Sequence, residues 1–490
     1  MPASELIERV AELIAEVLPV VPEVLRDELA ALDGRLREPA RIAVVGPVKA
    51  GKSTLVNALL GQRVAPTDIG ECTQVVTWFR YGHPQRLVVR LRDGREVEGQ
   101  LTPDGMLPKE LGVPIGTVDS VQAYLANETL RGMTLIDTPG LGSVHASYSE
   151  STEALLAASR ASAAAVTRAD AVLFLINHVA MDDDMQALRR LGGGEEASLG
   201  SAANAIAVLS RADQLGDGKD VWQVAVELAG HYAQLLRSQV STVVPVIGLL
   251  AETSEAAVLT EVDVKSVRGL AAMEPKVFAR LLWSTDRFTS EDAPVSPQSR
   301  ERLLSMLDLY GIGRVVELVR GGTTGAAALR RELSGISRIA EVKRTLMEYF
   351  SAQDHVLKVR SSLEALWRMS YTDADETGRA GMTTLRSRVE ALRLDPVMQP
   401  VAELEALHSC CTGRVEMADG QLKEIRRLFA PGSLSGRVGA VTDSADAVRA
   451  AAQEALGRWR SFMVTDASPA QAGVARVVLR SYQLAWKSVQ

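Results

Sequence analysis

A glycine-bounded loop stands between an apolar stretch and an amphipathic stretch near the start of the chain. Residues 41–61, RIAVVGPVKAGKSTLVNALLG, have the pattern of a strand, a loop and a helix in immediate succession. Gly46, Gly51, Lys52 and Ser53 fit G-x-x-x-x-G-K-[ST] at every defined position. Such a loop surrounds phosphate oxygens with backbone N–H groups, and the following helix adds the positive end of its dipole. The sequence therefore predicts a nucleoside triphosphate site.

Within this loop the residue types assign separate tasks. Lys52 would contact the β- and γ-phosphates, and the Ser53 hydroxyl would bind Mg²⁺. The remaining positions would bind the nucleotide through their backbone. The residues that we expect at the triphosphate are Gly46, Val48, Lys49, Ala50, Gly51, Lys52, Ser53 and Thr54.

Length and composition limit the number of domains and the classes of partner that we expect. A chain of 490 residues exceeds one ordinary core, so we expect two or three domains. The net charge of −7 provides no basic field, and we expect no nucleic-acid partner. Three cysteines without C-x-x-C spacing indicate a reducing cytoplasm. We expect no signal peptide, and without an 18-residue apolar run any membrane contact would be peripheral.

Apolar strands alternate with helices from residue 41 to about residue 248. This pattern predicts a mostly parallel sheet with helices on both faces. Asp93-Gly94 predicts a hairpin that adds an antiparallel edge, and the polar residues 95–130 look like an elaboration there. The predicted strands are Ile42–Val45, Val75–Phe79, Leu87–Leu91, Thr134–Asp137, Val172–Ile176, Ala205–Leu209 and Val243–Ile247.

Helical spacing dominates both ends of the chain. Residues 4–33 form two predicted helices divided by prolines. Their apolar faces must be buried against another part of the chain. The later stretches 374–394, 400–429, 442–463 and 468–487 predict an antiparallel bundle. We therefore expect N-terminal helices over residues 1–37 that pack into a stalk, a nucleotide domain over 38–322, and a helical stalk over 323–490.

An aspartate at the end of a predicted strand completes the expected metal site. In Leu135-Ile136-Asp137-Thr138-Pro139-Gly140, Asp137 would hold Mg²⁺ through water, and the Gly140 N–H would contact the γ-phosphate. A hydroxyl from residues 65–78 is also needed to complete the Mg²⁺ shell and to sense the γ-phosphate. Thr67, Thr73 and Thr77 are candidates. We favour Thr73 as the Mg²⁺ ligand, because it lies in a polar loop just before a strand.

Residues 207–213, AVLSRAD, resemble the [NT]-K-x-D element that reads guanine, with Ser210 and Arg211 as departures. Asp213 can accept hydrogen bonds from guanine N1–H and N2–H₂, which adenine does not offer. The Arg211 stem would lie along the ring. Gly248 or Leu249, after the last predicted strand, would present N–H groups to guanine O6.

The runs GPVKAGKSTLVNALLG, APTDIGECTQVVTWFRYG, IDTPG and SRAD together resemble the bacterial dynamin-like GTPases, and most closely the actinobacterial isoniazid-inducible members. The resemblance implies an α/β P-loop GTPase domain on an elongated α-helical bundle stalk. It also implies Mg²⁺-dependent GTP hydrolysis stimulated by G-domain dimerisation, and binding and remodelling of membrane. Catalysis would then involve Lys49, Lys52 and Thr73. Lys49 occupies the position at which this family has a polar or cationic residue that helps catalysis in cis. Val48 stands where eukaryotic dynamins have a water-positioning glutamine, so this role would fall to Lys49 and backbone groups.

The resemblance further implies partners and a location. These are GTP and GDP, anionic lipids, and a second copy bound through the G domains, while a hetero-oligomer with a paralogous protein stays open. The chain would act in the cytoplasm on the inner face of the cell membrane. Basic residues beside a Phe and a Leu that we expect to be exposed at the end of the bundle suggest a membrane-binding tip for an anionic lipid surface. The residues of this expected tip are Arg426, Arg427, Phe429, Leu434 and Arg437, and the turn at Pro396–Pro400 is a rival.

Two other functions fit the same residues. One is a slow GTP-switched scaffold that controls partner proteins without remodelling membrane, which Val48 and the altered base motif would allow. The other is a ribosome- or RNA-associated GTPase, which the acidic charge balance disfavours.

Overall fold

The computed structural model describes residues 3–66, 74–140, 161–162, 164–165, 168–177, 205–216, 221–236, 239–347, 354–372, 376–411, 413–430 and 432–489. A nine-stranded sheet lies at the centre of one half of this chain. The strands are β1 Ala40–Val45, β2 Val76–Tyr81, β3 Arg86–Leu91, β4 Glu96–Gly99, β5 Val118–Leu125, β6 Met133–Asp137, β7 Ala171–Ile176, β8 Ala205–Leu209 and β9 Val243–Pro245.

The strand order is β4-β3-β5-β2-β6-β1-β7-β8-β9. Neighbours from β6 through β1, β7 and β8 to β9 are parallel, and so are β2 and β5. The pairs β2–β6, β3–β5 and β3–β4 are antiparallel. The predicted fold class, a mixed and mostly parallel sheet joined to a helical region, is confirmed. Because β6, β1, β7 and β8 run parallel, their carboxyl ends meet at one edge of the sheet.

Strand β5 corrects the expectation that residues 95–130 only decorate the edge of the sheet. It lies inside the sheet, between β3 and β2. Its buried positions include Ser120 and Gln122, both under 10% exposed. These polar side chains hide the apolar alternation by which a strand is usually predicted. The predicted hairpin of β3 and β4 does form the edge.

The helices surround the sheet and continue beyond it. They are α1 Ala3–Val17, α2 Glu23–Arg37, α3 Lys52–Leu60, α4 Thr129–Gly132, α5 Val221–Leu235, α6 Gly248–Glu255, α7 Glu261–Ala271, α8 Pro275–Leu281, α9 Thr285–Ser290, α10 Pro297–Arg320, α11 Ala326–Ser337, α12 Ile339–Leu346, α13 Asp354–Met369, α14 Glu376–Arg393, α15 Gln399–Cys411, α16 Asp419–Phe429, α17 Leu434–Val438, α18 Ala445–Thr465 and α19 Pro469–Lys487. No helix in the described part of the chain has both the length and the apolar composition that crossing a bilayer requires.

Three apolar clusters hold these elements together. The first joins one face of the sheet to α1, α2, α13 and α14, and the second lies on the other face with α5 to α11. The third lies among α15 to α19 around Trp459 and Tyr482. The stretch 400–429, expected as one helical segment, contains two helices, of which the first ends at Cys411 and the second begins at Asp419.

The N-terminal helices pack on α13 and α14, and α2 leads almost directly into β1. Only Glu38 and Pro39 separate the two elements. Arg35 donates to Asp170 Oδ1 at 2.8 Å, and the backbone N–H of Arg41 donates to Asp170 Oδ2 at 2.9 Å. Lys358 of α13 donates to the carbonyl oxygen of Glu38. This short joint therefore ties the helical region to the strand that precedes the phosphate loop.

Candidate nucleotide-binding site

The phosphate loop, residues Gly46–Ser53, lies at the carboxyl edge of the sheet between β1 and α3. A Cβ on Gly46 would lie 2.7 Å from the carbonyl oxygen of Leu175, so only glycine fits there. Gly51 has φ 93° and forms the N-cap of α3. Lys49 also has a positive φ, 63°. The two glycines therefore permit a curvature that turns backbone N–H groups into the loop.

Lys52 reaches back over this loop from the first turn of α3. Its Nζ donates to the carbonyl oxygens of Gly46 at 3.2 Å and Pro47 at 2.8 Å, and the residue is 8% exposed. Burial lowers the pKa of Lys52, while the Asp137 carboxylate acts in the opposite direction. Phosphate oxygens would give the ammonium group charged acceptors instead of neutral carbonyls, which is a stronger interaction.

Ser53 and Asp137 meet where β6 ends beside the phosphate loop. The Ser53 hydroxyl donates to Asp137 Oδ2 at 2.8 Å. Asp137 Oδ1 is buried and has no hydrogen-bond partner among the described residues. Burial raises the pKa of Asp137 to about 6, against the lowering effects of Lys52, of Ser53 and of the Thr138 N–H. A hydroxyl beside a buried carboxylate oxygen without a partner is an oxygen donor set that fits Mg²⁺.

The chain after Asp137 lies against the phosphate loop. Thr138 Oγ1 donates to the carbonyl oxygen of Val44 at 2.8 Å, which fixes the end of β6 to β1. A Cβ on Gly140 would lie 2.6 Å from Val48 Cγ2, so glycine is required at this approach. The Val48 side chain is 53% exposed. Thr73, the expected third member of the metal site, lies outside the described residues, as does Thr67.

The SRAD segment follows β8 on the same edge. Ser210 is buried, and its hydroxyl donates to the carbonyl oxygen of Ile176 at 3.1 Å. Arg211 has φ 55°, and its guanidinium Nη2 donates to the carbonyl oxygen of Lys49 at 2.8 Å. This contact between the base motif and the phosphate loop was missed by sequence reasoning, because the two residues are 162 positions apart.

Asp213 lies in a single 3₁₀ turn, Ala212–Gln214. Burial raises its pKa to about 6, Asp308 acts in the same direction, and Arg211 opposes them. Asp308 interrupts α10 with φ 54° and ψ 177°, a conformation that costs a non-glycine residue roughly 1–3 kcal/mol. No glycine or proline just before Asp308 indicates this interruption of the helix, so sequence reasoning missed Asp308 as a neighbour of Asp213.

Gly248 opens α6 beside α3. A Cβ on Gly248 would lie 3.8 Å from Thr54 Cγ2, which is an ordinary contact. The structure thus brings the phosphate loop, Asp137, Asp213 and Gly248 to one edge of the sheet. Ala50 is buried within the loop.

The expected membrane tip contains an apolar residue that is not exposed. Phe429 is 7% exposed and belongs to the third apolar cluster, and Leu434 packs partly buried against that cluster. The expectation of an exposed Phe429 is therefore wrong. Its burial follows from the packing of α16 on α15 and α17, which periodicity along one helix does not reveal.

The three arginines of that segment bind neighbouring elements. Arg437 Nη2 pairs with Glu403 Oε2 at 3.0 Å. Arg427 donates to backbone carbonyl oxygens of α17 at 3.4 Å, and Arg426 lies 3.7 Å from the Cys411 sulfur. These contacts join α15, α16 and α17, so the structure uses the arginines to hold helix ends together.

We predict that Asp137→Asn stabilises the protein in the absence of nucleotide. The folded pKa of about 6 exceeds the ordinary value of 3.8. Folding thus favours the protonated carboxyl, and this contribution to stability is lost as the pH rises from about 4 to 6. At pH 7 the penalty is about 1–3 kcal/mol. Thermal unfolding in EDTA at pH 7 should show a midpoint several degrees higher for the variant than for the wild type.

The same variant should bind Mg²⁺-nucleotide more weakly, since the amide removes the charge. At pH 4 the carboxyl group of the folded wild-type protein is protonated, so the side chain at position 137 is neutral in both proteins. The thermal midpoints of the wild type and the variant should therefore converge. An Asp137→Asn midpoint below that of the wild type at pH 7 would contradict this account of the buried carboxylate.

The sequence was compared with known proteins. The Dynamin family profile matches residues 42–192. Isoniazid-induced protein IniC of Mycobacterium tuberculosis is 34% identical over 352 residues, which cover 70% of this chain and 70% of that protein. A bacterial dynamin-like protein of Nostoc punctiforme is 31% identical over 119 residues, covering 22% of this chain and 17% of that protein.

Among solved structures, one described as an oligomerised bacterial dynamin pair covers 100% of this chain and 76% of its own. The sequence identity is 14% and the TM-score 0.34, so the relationship rests on the sequences. Identity of 34% across 70% of both chains, together with the profile match over the phosphate loop and Asp137, establishes the relationship. The chain belongs to the dynamin family and is a bacterial dynamin-like GTPase by descent.

Proposed function

We propose that the protein binds GTP with Mg²⁺ at the phosphate loop and hydrolyses it. The observation that carries the proposal is the Ser53–Asp137 pair, 2.8 Å apart, with a buried Asp137 oxygen that has no hydrogen-bond partner among the described residues, and with the Lys52 charge close enough to act on this carboxylate. Bound Mg²⁺ would neutralise charge on the β- and γ-phosphate oxygens. Ser53 would contact the ion directly and Asp137 through water.

Guanine selection rests on Asp213. In its ionised form the carboxylate accepts from both N1–H and N2–H₂ of guanine, and guanine therefore favours the ionised form. Adenine presents an acceptor at N1 and would leave the carboxylate without donors. Ser210 and Arg211 support this position, Ser210 by fixing the end of β8 and Arg211 by bonding to Lys49. Gly248 lies at the N-terminus of α6, where its N–H group would contact the base.

Hydrolysis would depend on Lys49, Lys52 and Thr73. Lys52 offsets charge that develops on the transferred phosphoryl group. Lys49, held by Arg211 through its carbonyl oxygen, would place its side chain and backbone at the open face of the loop. The Val48 side chain has no hydrogen-bonding group, so the attacking water would be positioned by backbone groups and Lys49. The Gly140 N–H would contact the γ-phosphate.

Membership of the dynamin family supports the coupling of hydrolysis to membrane. In this proposal the nucleotide domain, residues 38–322, dimerises through its nucleotide face. The helices of residues 1–37 and 323–490 form the stalk that binds anionic lipid on the inner face of the cell membrane and remodels it. A paralogous dynamin-like protein would be a further partner in a hetero-oligomer.

A second function, a slow GTP-dependent switch acting on protein partners, is favoured by one observation. Val48 is half-exposed at the place where a water-positioning side chain would stand. A chain with this loop would hydrolyse GTP slowly without a second copy or a surface to organise it.

We expect purified protein to hydrolyse GTP in Mg²⁺, to hydrolyse ATP at least about 100-fold less efficiently, and to stop in EDTA. Hydrolysis and sedimentation should be measured on one sample, with and without phosphatidylglycerol vesicles. Stimulation by vesicles and co-sedimentation in GTP are the expected results. Equal use of ATP would contradict the role of Asp213. Failure to co-sediment would contradict the membrane function and favour the switch.

A further inference from the structure

A buried asparagine on α3 holds the chain that leaves this helix. Asn57 is 0% exposed. Its Oδ1 accepts from the backbone N–H groups of Val64 at 3.0 Å and Ala65 at 2.8 Å. Its Nδ2 donates to the carbonyl oxygen of Ala65 at 2.9 Å and to Glu252 Oε1 at 2.9 Å. All four hydrogen-bonding positions of the amide are therefore used.

Glu252 connects this arrangement to α6. The residue is 1% exposed, and its Oε1 also accepts from Arg63 Nε at 3.1 Å. A buried carboxylate is tolerated only when charge and hydrogen bonds compensate it, and Arg63 and Asn57 supply these. We call Asn57, Arg63, Val64, Ala65 and Glu252 the Asn57 junction.

The Asn57 junction joins three parts of the nucleotide site. Helix α3 begins with Lys52 and Ser53, and α6 begins at Gly248 on the base side. The chain that the junction holds at residues 63–65 continues in sequence to Thr73. A further bond, from the Leu107 N–H to the Val64 carbonyl oxygen at 2.9 Å, fixes the same segment from another side.

We propose that Asn57, together with Glu252, is a positioning residue for GTP hydrolysis. It fixes residues 63–65 relative to both α3 and α6, and thereby sets where the chain toward Thr73 begins. This inference rests on the proposed function of the site. Loss of the junction should slow hydrolysis of bound GTP while leaving GDP affinity nearly intact, because the GDP contacts, at the phosphate loop, Asp213 and Gly248, do not include the chain from residue 63 to Thr73.

The test compares Asn57→Ala and Glu252→Gln with a matched control, Thr253→Val. Thr253 is the next residue on α6, is 0% exposed, and donates to the carbonyl oxygen of Met306 at 2.6 Å. The Thr253→Val variant therefore loses a buried hydrogen bond that lies outside the Asn57 junction. We expect the single-turnover rate at saturating GTP to fall at least tenfold in Asn57→Ala, and GDP affinity to change less than threefold. Thr253→Val should lower the thermal midpoint and keep the wild-type rate.

A pairing experiment covers the case in which Asn57→Ala does not fold. Asn57→Asp places a second carboxylate against Glu252 and should slow hydrolysis strongly. Adding Glu252→Gln to it supplies an amide donor to the new carboxylate, while the bond to the Ala65 carbonyl oxygen stays broken, so the double variant should recover part of the rate. Failure of the second substitution to recover any rate, in folded protein, would contradict the pairing.

Trypsin cleavage after Arg63 gives a readout that does not require hydrolysis. We expect fragments ending at Arg63 to appear faster in Asn57→Ala and Glu252→Gln than in the wild type, and at the wild-type rate in Thr253→Val. A wild-type hydrolysis rate in Asn57→Ala, or an equal loss in Thr253→Val, would overturn the proposal. Absence of hydrolysis in the wild-type protein itself would instead contradict the proposed function.

Discussion

Lys52→Ala should reduce GTP hydrolysis by about 100- to 1,000-fold, the scale expected when a preorganised charged donor at a transition state is removed. The Lys52 ammonium group is buried over the loop against the carbonyl oxygens of Gly46 and Pro47, and it would exchange these neutral acceptors for phosphate oxygens when GTP binds. Steady-state phosphate release with saturating GTP and Mg²⁺ measures this effect.

The control for this prediction is Lys265→Ala, at an exposed position on α7. It removes the same charge from the chain without touching the site, and the wild-type rate is expected. Unfolding curves of Lys52→Ala should show that the fold persists. Retention of more than about one tenth of the activity in folded Lys52→Ala would contradict the assignment of the phosphate loop.

Asp213→Asn should change the base preference of the site from guanine to xanthine. The amide loses the second acceptor that guanine N2–H₂ requires, and it gains an N–H group that xanthine O2 accepts. A site built to hydrogen-bond one base rejects another by a large factor, so we expect GTP affinity to fall at least about 100-fold and XTP affinity to rise. Competition of GDP and XDP against a fluorescent nucleotide measures both.

The pH dependence supplies a second measurement on the same variant. The pKa of Asp213 is raised to about 6, and guanine binds the ionised form. Wild-type affinity for GDP in EDTA should therefore weaken as the pH falls below 6, and Asp213→Asn should lack this part of the dependence. The exposed Asp286→Asn serves as the charge-matched control. Unchanged preference for guanine in Asp213→Asn would mean that another group reads the base.

Local patterns were the part of the site that the sequence could predict. The phosphate loop, DTPG and SRAD are short runs whose glycines, hydroxyls and carboxylates have defined offsets. Parallel strands then bring their carboxyl ends together, so the meeting of Ser53 and Asp137 follows from topology. The positions of most strands along the chain were predicted because apolar runs alternate with helices, whereas their order in the sheet was not predicted.

Contacts between distant segments were not predictable in this way. Arg211 reaches Lys49 across 162 positions, and Asn57 reaches Glu252 across 195. Neither pair belongs to a local or periodic sequence pattern, so one sequence alone does not predict these contacts. Phe429 was misplaced because its exposure depends on which helices pack beside α16. Strand β5 was missed because the sheet buries polar side chains on it.

The two-residue joint between α2 and β1 has a mechanical consequence. A helix of 15 residues is about 22 Å long. A rotation of roughly 10° at Glu38 and Pro39 would therefore displace the far end of α2 by about 4 Å. Because β1 ends at Val45, next to the phosphate loop, and its six residues span about 20 Å, the joint would connect two arms of similar length, β1 and α2. A small rotation of β1 at the nucleotide would therefore be transmitted, at about the same size, to the surface where α2 packs on α13.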